Sequence, residues 1–132
     1  MTKRIIVEIA EGLGNQLFMY AHAYSMAKKL NFELFIDNQS GYSFKKNTLR
    51  EHQKYMLDSF NIVQNYAPNK FIYNKLHKKI KKKLFLLIDK FANKQVFFRE
   101  KLIKKNNSKI VRNYTNLSNL NFSDNIYVQG NF

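Results

Sequence analysis

The residues best equipped for chemistry are Glu11-Gly12-Leu13-Gly14-Asn15-Gln16. They stand between an apolar run, Ile5-Ile6-Val7-Glu8-Ile9, and a long amphipathic segment from Leu17 to Leu30. A strand, a glycine turn and a helix in that order bring unpaired backbone N–H groups and the positive end of a helix dipole to one point, which is an anion site. Gly12 and Gly14 permit a ligand to approach the backbone closely, and Asn15 and Gln16 add amide donors. Two glycines make neither the dinucleotide fingerprint nor the P-loop, which requires Gly-Lys-Ser/Thr. On spacing alone, a structural turn with Asn15 as helix cap is the simpler reading. Glu8, Glu11 and Asp37 lie near the turn, and none is singled out as a catalytic base.

Other chemistry is thinly supplied. There is no Cys, hence no disulfide frame, thiolate nucleophile or zinc knuckle. Asp37, Asp58, Asp89 and Asp124 are isolated, with no Asp-x-Asp pair to hold a divalent ion against a diphosphate. His22, His52 and His77 have neither metal-ligand nor nucleophile spacing, and His22, inside the first helix, reads as a packed or solvated side chain. No metal and no cofactor is expected.

The elements that must position the turn follow from periodicity. Thr2 to Ala10 reads as a buried strand in which Glu8 needs a partner or a solvated end. Leu17, Phe18, Tyr20, Ala21, Tyr24, Ala27 and Leu30 recur at helical steps and predict the buried face of a helix that stops at Asn31. Phe32 to Asp37 is a second strand, so residues 1–66 begin with a βαβ unit whose strands are parallel neighbours. Asn38 to Asn47 is a loop. Leu49, Met56, Leu57, Phe60 and Ile62 mark a short mixed segment, and Pro68 a boundary. Residues 67–105 read as a basic helical segment: Leu76, Ile80, Leu84, Leu87 and Phe91 form one apolar stripe, with an almost wholly basic face opposite. Val96, Phe97, Leu102 and Ile103 are expected to continue that helix after a break near Asn93. Residues 106–132 read as a turn-rich segment and a closing strand, Ile126 to Phe132, whose apolar alternation is ordinary core packing.

With 132 residues, 45% of them apolar, the chain is large enough for one α/β domain with a core. Its net charge is +14, and 13 Lys and Arg against two acids between Lys70 and Lys105 concentrate +11 in one stretch. Such a stretch attracts anionic lipid or nucleic acid. Composition rich in Lys, Asn, Ile and Phe also yields it as a plain solvated face, the preferred reading. Aromatic residues are not interleaved with the basic ones and no nucleic-acid reading motif is present, so nucleic acid is disfavoured. A small basic protein binding nucleic acid or anionic membrane remains the alternative function. Lys3 and Arg4 do not open a signal peptide, because Glu8 and Glu11 interrupt the apolar run. A cytoplasmic location is expected.

Gly-Leu-Gly-Asn-Gln-Leu-Phe, running on to Tyr20-Ala21 and Ala27, resembles the opening signature of the bacterial α-1,2-fucosyltransferases, glycosyltransferase family 11. Phe32–Asp37 is similar to that family's second strand, which ends in an acidic residue. Arg50 and Tyr55-Met56-Leu57-Asp58-Ser59-Phe60-Asn61-Ile62 resemble its Arg/His…Tyr-x-Leu-Asp-x-Phe-x-Ile stretch, and Tyr127–Phe132 its Tyr-Leu-x-Gly-Tyr-Trp/Phe block. Glu11 and Met19 depart from the family, which usually has Gly and often Gln there. The family's His-x-Arg-Arg-Gly-Asp motif, whose arginine grips the donor diphosphate, has no counterpart.

The resemblance implies a Rossmann-like N-terminal part of a GT-B glycosyltransferase, truncated, with residues 1–132 as a partial domain. It implies an inverting, metal-independent galactoside α-1,2-fucosyltransferase in surface polysaccharide synthesis, moving L-fucose from GDP-fucose to a galactoside hydroxyl and inactive as this isolated piece. Gly12, Gly14, Asn15 and Gln16 would bind the donor. A peripheral contact of the basic stretch, residues 70–105, with the anionic inner face of the membrane would suit such an enzyme, as the alternative to the solvated face.

Overall fold

A computed structural model describes residues 2–43, 54–89, 91–99, 102–104, 110–112 and 120–130. Arg50, Leu49, His52 and the closing Asn131-Phe132 lie outside the described residues. Strand β1 (Arg4–Glu8) leads into helix α1 (Leu13–Leu30) and strand β2 (Glu33–Asp37). A 3-10 turn at Ser40–Tyr42, another at Leu57–Ser59 and a third at Asn69–Phe71 precede helix α2 (Leu76–Asp89). Strand β3 (Gln95–Arg99), strands β4 (Leu102–Lys104) and β5 (Ile110–Arg112), and strand β6 (Phe122–Gln129) complete the order. Val96, Phe97, Leu102 and Ile103, expected to prolong the helix, are therefore strand residues. The segment around Val96 and Phe97 is β-branched and aromatic, and pairing with β6 buries Phe97 and Phe98 on opposite faces of the sheet.

The fold is α/β around a parallel four-stranded sheet of order β2-β1-β6-β3. The expected βαβ unit is present, with Ile6 opposite Phe35 and Glu8 opposite Asp37. Outside β2, Tyr66 forms a parallel bridge to Ile36, so the chain steps outward from β1 to β2 to this bridge and then returns to the other side of β1. That reversal is compatible with a Rossmann-like arrangement. β4 and β5 form a separate antiparallel pair.

Alternation along β1 sorts the core into two layers. Ile5, Val7 and Ile9, with Leu34, Ile36, Ile126, Val128 and Phe98, pack on Met19, Ala23, Met26 and Ala27 of α1. Ile6, Phe97 and Tyr127 face the other way, onto Ala67, Ile72, Tyr73 and the half-buried Leu86 of α2.

Helix α1 buries Tyr20 and Ala27, and in part Leu30, as periodicity predicts, but the rest of its buried face is shifted, and α2 is turned over. α1 buries Gln16, Met19, Tyr20, Ala23, Met26 and Ala27, while Leu17, Tyr24 and Phe18 (64% accessible) are exposed. Its apolar residues spread around most of the helix, and the small Ala23 and Ala27 let that side approach the sheet closely. Asn31 ends α1 as expected, in the left-handed conformation with φ 56°. α2 is turned more completely. Leu76, Ile80, Leu84 and Leu87 are all exposed, and the basic face, expected to be solvated, lies in part against the sheet, with the Lys82 side chain only 11% accessible.

Candidate functional site

Parallel strands deliver their last residues to one edge, where an open α/β sheet binds its ligands. Here that edge gathers Glu8 from β1, Asp37 from β2 and Gln129 from β6. Tyr127 ties them together. Its hydroxyl lies 2.8 Å from Glu8 Oε2 and 2.6 Å from Asp37 Oδ2, one proton serving two carboxylates. Glu8 Oε2 also accepts from Lys82 Nζ at 2.8 Å and from Gln129 Nε2 at 2.7 Å. Asp37 is fully buried. Its Oδ1 accepts the Gln39 and Ser40 backbone N–H groups at 3.0 and 2.9 Å, and its Oδ2 accepts the Ser40 hydroxyl. Ser40 Oγ in turn accepts the Tyr73 N–H at 2.7 Å. Every hydrogen-bond neighbour of this buried carboxyl is a donor, which offsets its removal from water.

Electrostatics match this geometry. Burial raises the Tyr127 hydroxyl well above its ordinary 10.0, and the Glu8 and Asp37 carboxylates push it further, so it stays a donor. Burial lowers the Lys82 ammonium from its ordinary 10.5, against the pull of Glu8. The ammonium also lies over the Tyr127 and Tyr73 rings, 4.5 and 5.1 Å from their centroids.

The glycine turn occupies the same edge, between β1 and α1. Gly12 is the N-cap of α1 with φ −78° and ψ 168°, no side chain caps the helix, and its first turn holds no acid. Asn15, one candidate cap, instead donates its amide to the Glu11 carboxylate at 2.5 Å. At Gly12 and at Gly14 an added Cβ would meet nothing within 4 Å. Glu11 has φ 65°, a conformation that costs any residue with a Cβ.

Comparison with protein-family models, curated proteins and solved structures gave no match.

Of the four expected donor-binding residues, Gly12 and Gly14 have open space where a Cβ would go, and Asn15 is exposed with its amide on the Glu11 carboxylate. Gly12, Gly14 and Asn15 line the turn. Gln16 is fully buried and spends its amide within the chain, donating to Glu11 O at 2.8 Å and Lys54 O at 2.7 Å and accepting the Met56 N–H at 2.9 Å. It is a positioning residue that fastens residues 54–56 to the turn. His22, expected to be packed or solvated, stacks beside Phe98. No group of His, Cys, Asp or Glu that could hold a metal occurs among the described residues. A depression of ≈ 240 Å³ lined by Tyr24, Lys28, Glu33 and Asn65 lies at the opposite, amino end of β2. It is small for a ligand site.

Sequence reasoning missed Lys82, Ser40, Tyr73 and Gly41. Glu8 in a buried strand signals a partner or a solvated end, and Lys82 is one lysine among many in the sequence. Gly41 lies in the stretch 38–47 that reads as a loop. A Cβ there would strike the Ile9 carbonyl oxygen and lie 2.6 Å from Ala10 Cβ, so this glycine is required by the fold while Gly12 and Gly14 are not.

Proposed function

We propose that the chain carries the donor half of a sugar-nucleotide site on a Rossmann-like, GT-B-type domain, and that the reaction it serves is fucosyl transfer from GDP-fucose to a galactoside hydroxyl. One observation carries this reading. Gly12 and Gly14 have ordinary backbone angles and open space where a Cβ would go, so neither close packing nor a left-handed turn accounts for them. Approach of a ligand to the backbone does. Support also comes from the blocks that resemble the fucosyltransferases. Gln16 binds Lys54 and Met56, and Tyr127 binds Asp37, so the opening turn, the second strand, the Tyr55–Ile62 stretch and the closing strand meet around one sheet edge.

In such a transfer the acceptor oxygen bonds to the anomeric carbon as the bond to the β-phosphate breaks. GDP leaves with the electron pair, and a base takes the hydroxyl proton. The N–H groups of Gly12, Leu13 and Gly14 would stabilise charge on the departing diphosphate. Thermal melting with GDP-fucose tests the reading. At a hundredfold excess over Kd a ligand stabilises by about 2.7 kcal/mol, a rise on the order of 10 °C for a chain of this size. Wild type should show such a rise. Gly12→Ala and Gly14→Ala should fold as well as wild type and lose it. Absence of a rise in wild type, or its retention in both variants, refutes the proposal.

A further inference from the structure

We propose that α2 is a membrane-surface helix, lying in the headgroup layer of anionic lipid with its apolar ridge inserted. This stands apart from the sugar-nucleotide reading and rests on the orientation of α2. At helical pitch, Leu76, Ile80, Leu84 and Leu87 fall on one line, and Phe91 extends it beyond the last turn. They are 67%, 61%, 57%, 56% and 90% accessible. The opposite side, carrying Lys82, Leu86 and Asp89, meets the rest of the chain through the Glu8 ion pair, the second core layer and the Val96 N–H. The ridge thus points straight away from the sheet, over roughly 20 Å of helix.

Its flanks decide what it meets. Lys79 and Lys83 border the ridge on one side, His77 and Lys81 on the other. Lys81 Nζ lies 5.5 Å from the Phe85 ring centroid, its stem along apolar surface and its charge outward. An exposed apolar face bordered by Lys79 and Lys83 on one side, and widened by Ile88 toward Lys81 on the other, is the pattern of an interfacial helix on anionic lipid. The net charge of +14 adds long-range attraction. A second copy of the chain would set Lys79, Lys81 and Lys83 against their like. No helix among the described residues is long and apolar enough to cross a membrane, so the inferred contact lies on the surface.

Flotation of the full chain with vesicles of equal parts phosphatidylglycerol and phosphatidylcholine, and with phosphatidylcholine alone, tests this. Binding should require the anionic lipid and should survive high salt in part, because insertion is apolar. Ile80→Asn with Leu84→Asn should weaken it at least about tenfold, as expected from the apolar area withdrawn from water. The melting temperature should fall by no more than a few degrees, since both side chains are mostly exposed and Asn is only slightly poorer than Ile or Leu as a helix former. The chain has no Trp, so Leu84→Trp supplies an independent probe whose emission should shift to the blue on anionic vesicles. The proposal is overturned by any of three results: full loss of binding in high salt with no effect of the Asn variant, which is adsorption by charge alone; no vesicle binding with a concentration-dependent dimer; or no blue shift.

Discussion

Replacing Lys82 by Met tests the architecture of the sheet edge, because it removes one charge and keeps the stem that packs on Tyr73 and Tyr127. Breaking a buried ion pair from one side costs about 3–5 kcal/mol. Glu8 keeps two other hydrogen-bonding neighbours, Gln129 Nε2 at 2.7 Å and the Tyr127 hydroxyl at 2.8 Å. Its side chain is 17% accessible, so solvent recovers part of the loss. These place the cost at the low end, about 2–3 kcal/mol including the contact with the aromatic rings. Burial works against the ammonium and the carboxylate answers it, so removing both charges should leave little deficit. Lys82→Met with Glu8→Gln should fall within about 1 kcal/mol of wild type; since Glu8→Gln alone also costs stability by leaving the Lys82 ammonium unpaired, the coupling between the sites should be at least about 2 kcal/mol. Urea unfolding of the four proteins of the cycle measures this from midpoints at constant slope. Additive effects, or a Lys82→Met variant as stable as wild type, would show that the pair is not a buried, mutually dependent unit.

Further expectations follow from the same geometry. Glu11→Gly relieves a residue at φ 65° and should be neutral or stabilise by up to about 1 kcal/mol despite the loss of the Asn15 contact, whereas Glu11→Val should melt lower than wild type; a clearly lower melting temperature for the Gly variant would mean that the contact outweighs the strain. Gly41→Ala should cost about 1–3 kcal/mol through collision with Ile9 and Ala10, while Gly14→Ala, inside a helix with open space around it, should gain up to about 1 kcal/mol in chemical denaturation. Burial raises the hydroxyls of Tyr20, Tyr42, Tyr55, Tyr73 and Tyr127 above 10.0. Above that pH the folded state binds more protons than the unfolded one. Stability present below pH 10 is then lost as pH rises through the window between the unfolded and folded values of these hydroxyls. The lowered Lys82 acts oppositely, adding stability between its folded value and 10.5, one group against five. Urea midpoints that stay level well past pH 10 would contradict this.

What the sequence disclosed depended on how locally each feature is encoded. β1, the turn, α1 and β2 were legible because a buried strand, two glycines and a helix stop at Asn31 are written in neighbouring residues. The rotation of α1 was not, since Leu17, Phe18 and Tyr24 are as apolar as Met19, Ala23 and Met26, and only contact with the sheet chooses between them. α2 was legible as a helix and misleading as a surface, because the burial of Lys82 depends on Glu8, 74 residues earlier in the chain. Gln16 looked like a ligand contact by type, and its real partners at Lys54 and Met56 are set by tertiary folding. Gly12 and Gly41 look alike in sequence, yet only the backbone crossing behind Gly41 makes that glycine necessary.

The sheet also imposes an order on folding. β6 lies between β1 and β3, and its register sets Arg4 beside Asn125 and Val7 beside Val128. The central strand is thus supplied from the far end of the chain. During synthesis the β1–α1–β2 unit and β3 emerge first, each with an unpaired edge that needs β6. Loop closure over such a separation is slow. The chain therefore passes through an interval in which Ile5, Ile6 and Val7 have a partner on one side only, a period of greatest exposure to self-association. Arrival of Ile126-Tyr127-Val128 closes that interval, and the same strand brings the Tyr127 hydroxyl between Glu8 and Asp37. Completion of the sheet and completion of the polar cluster at its edge are one event.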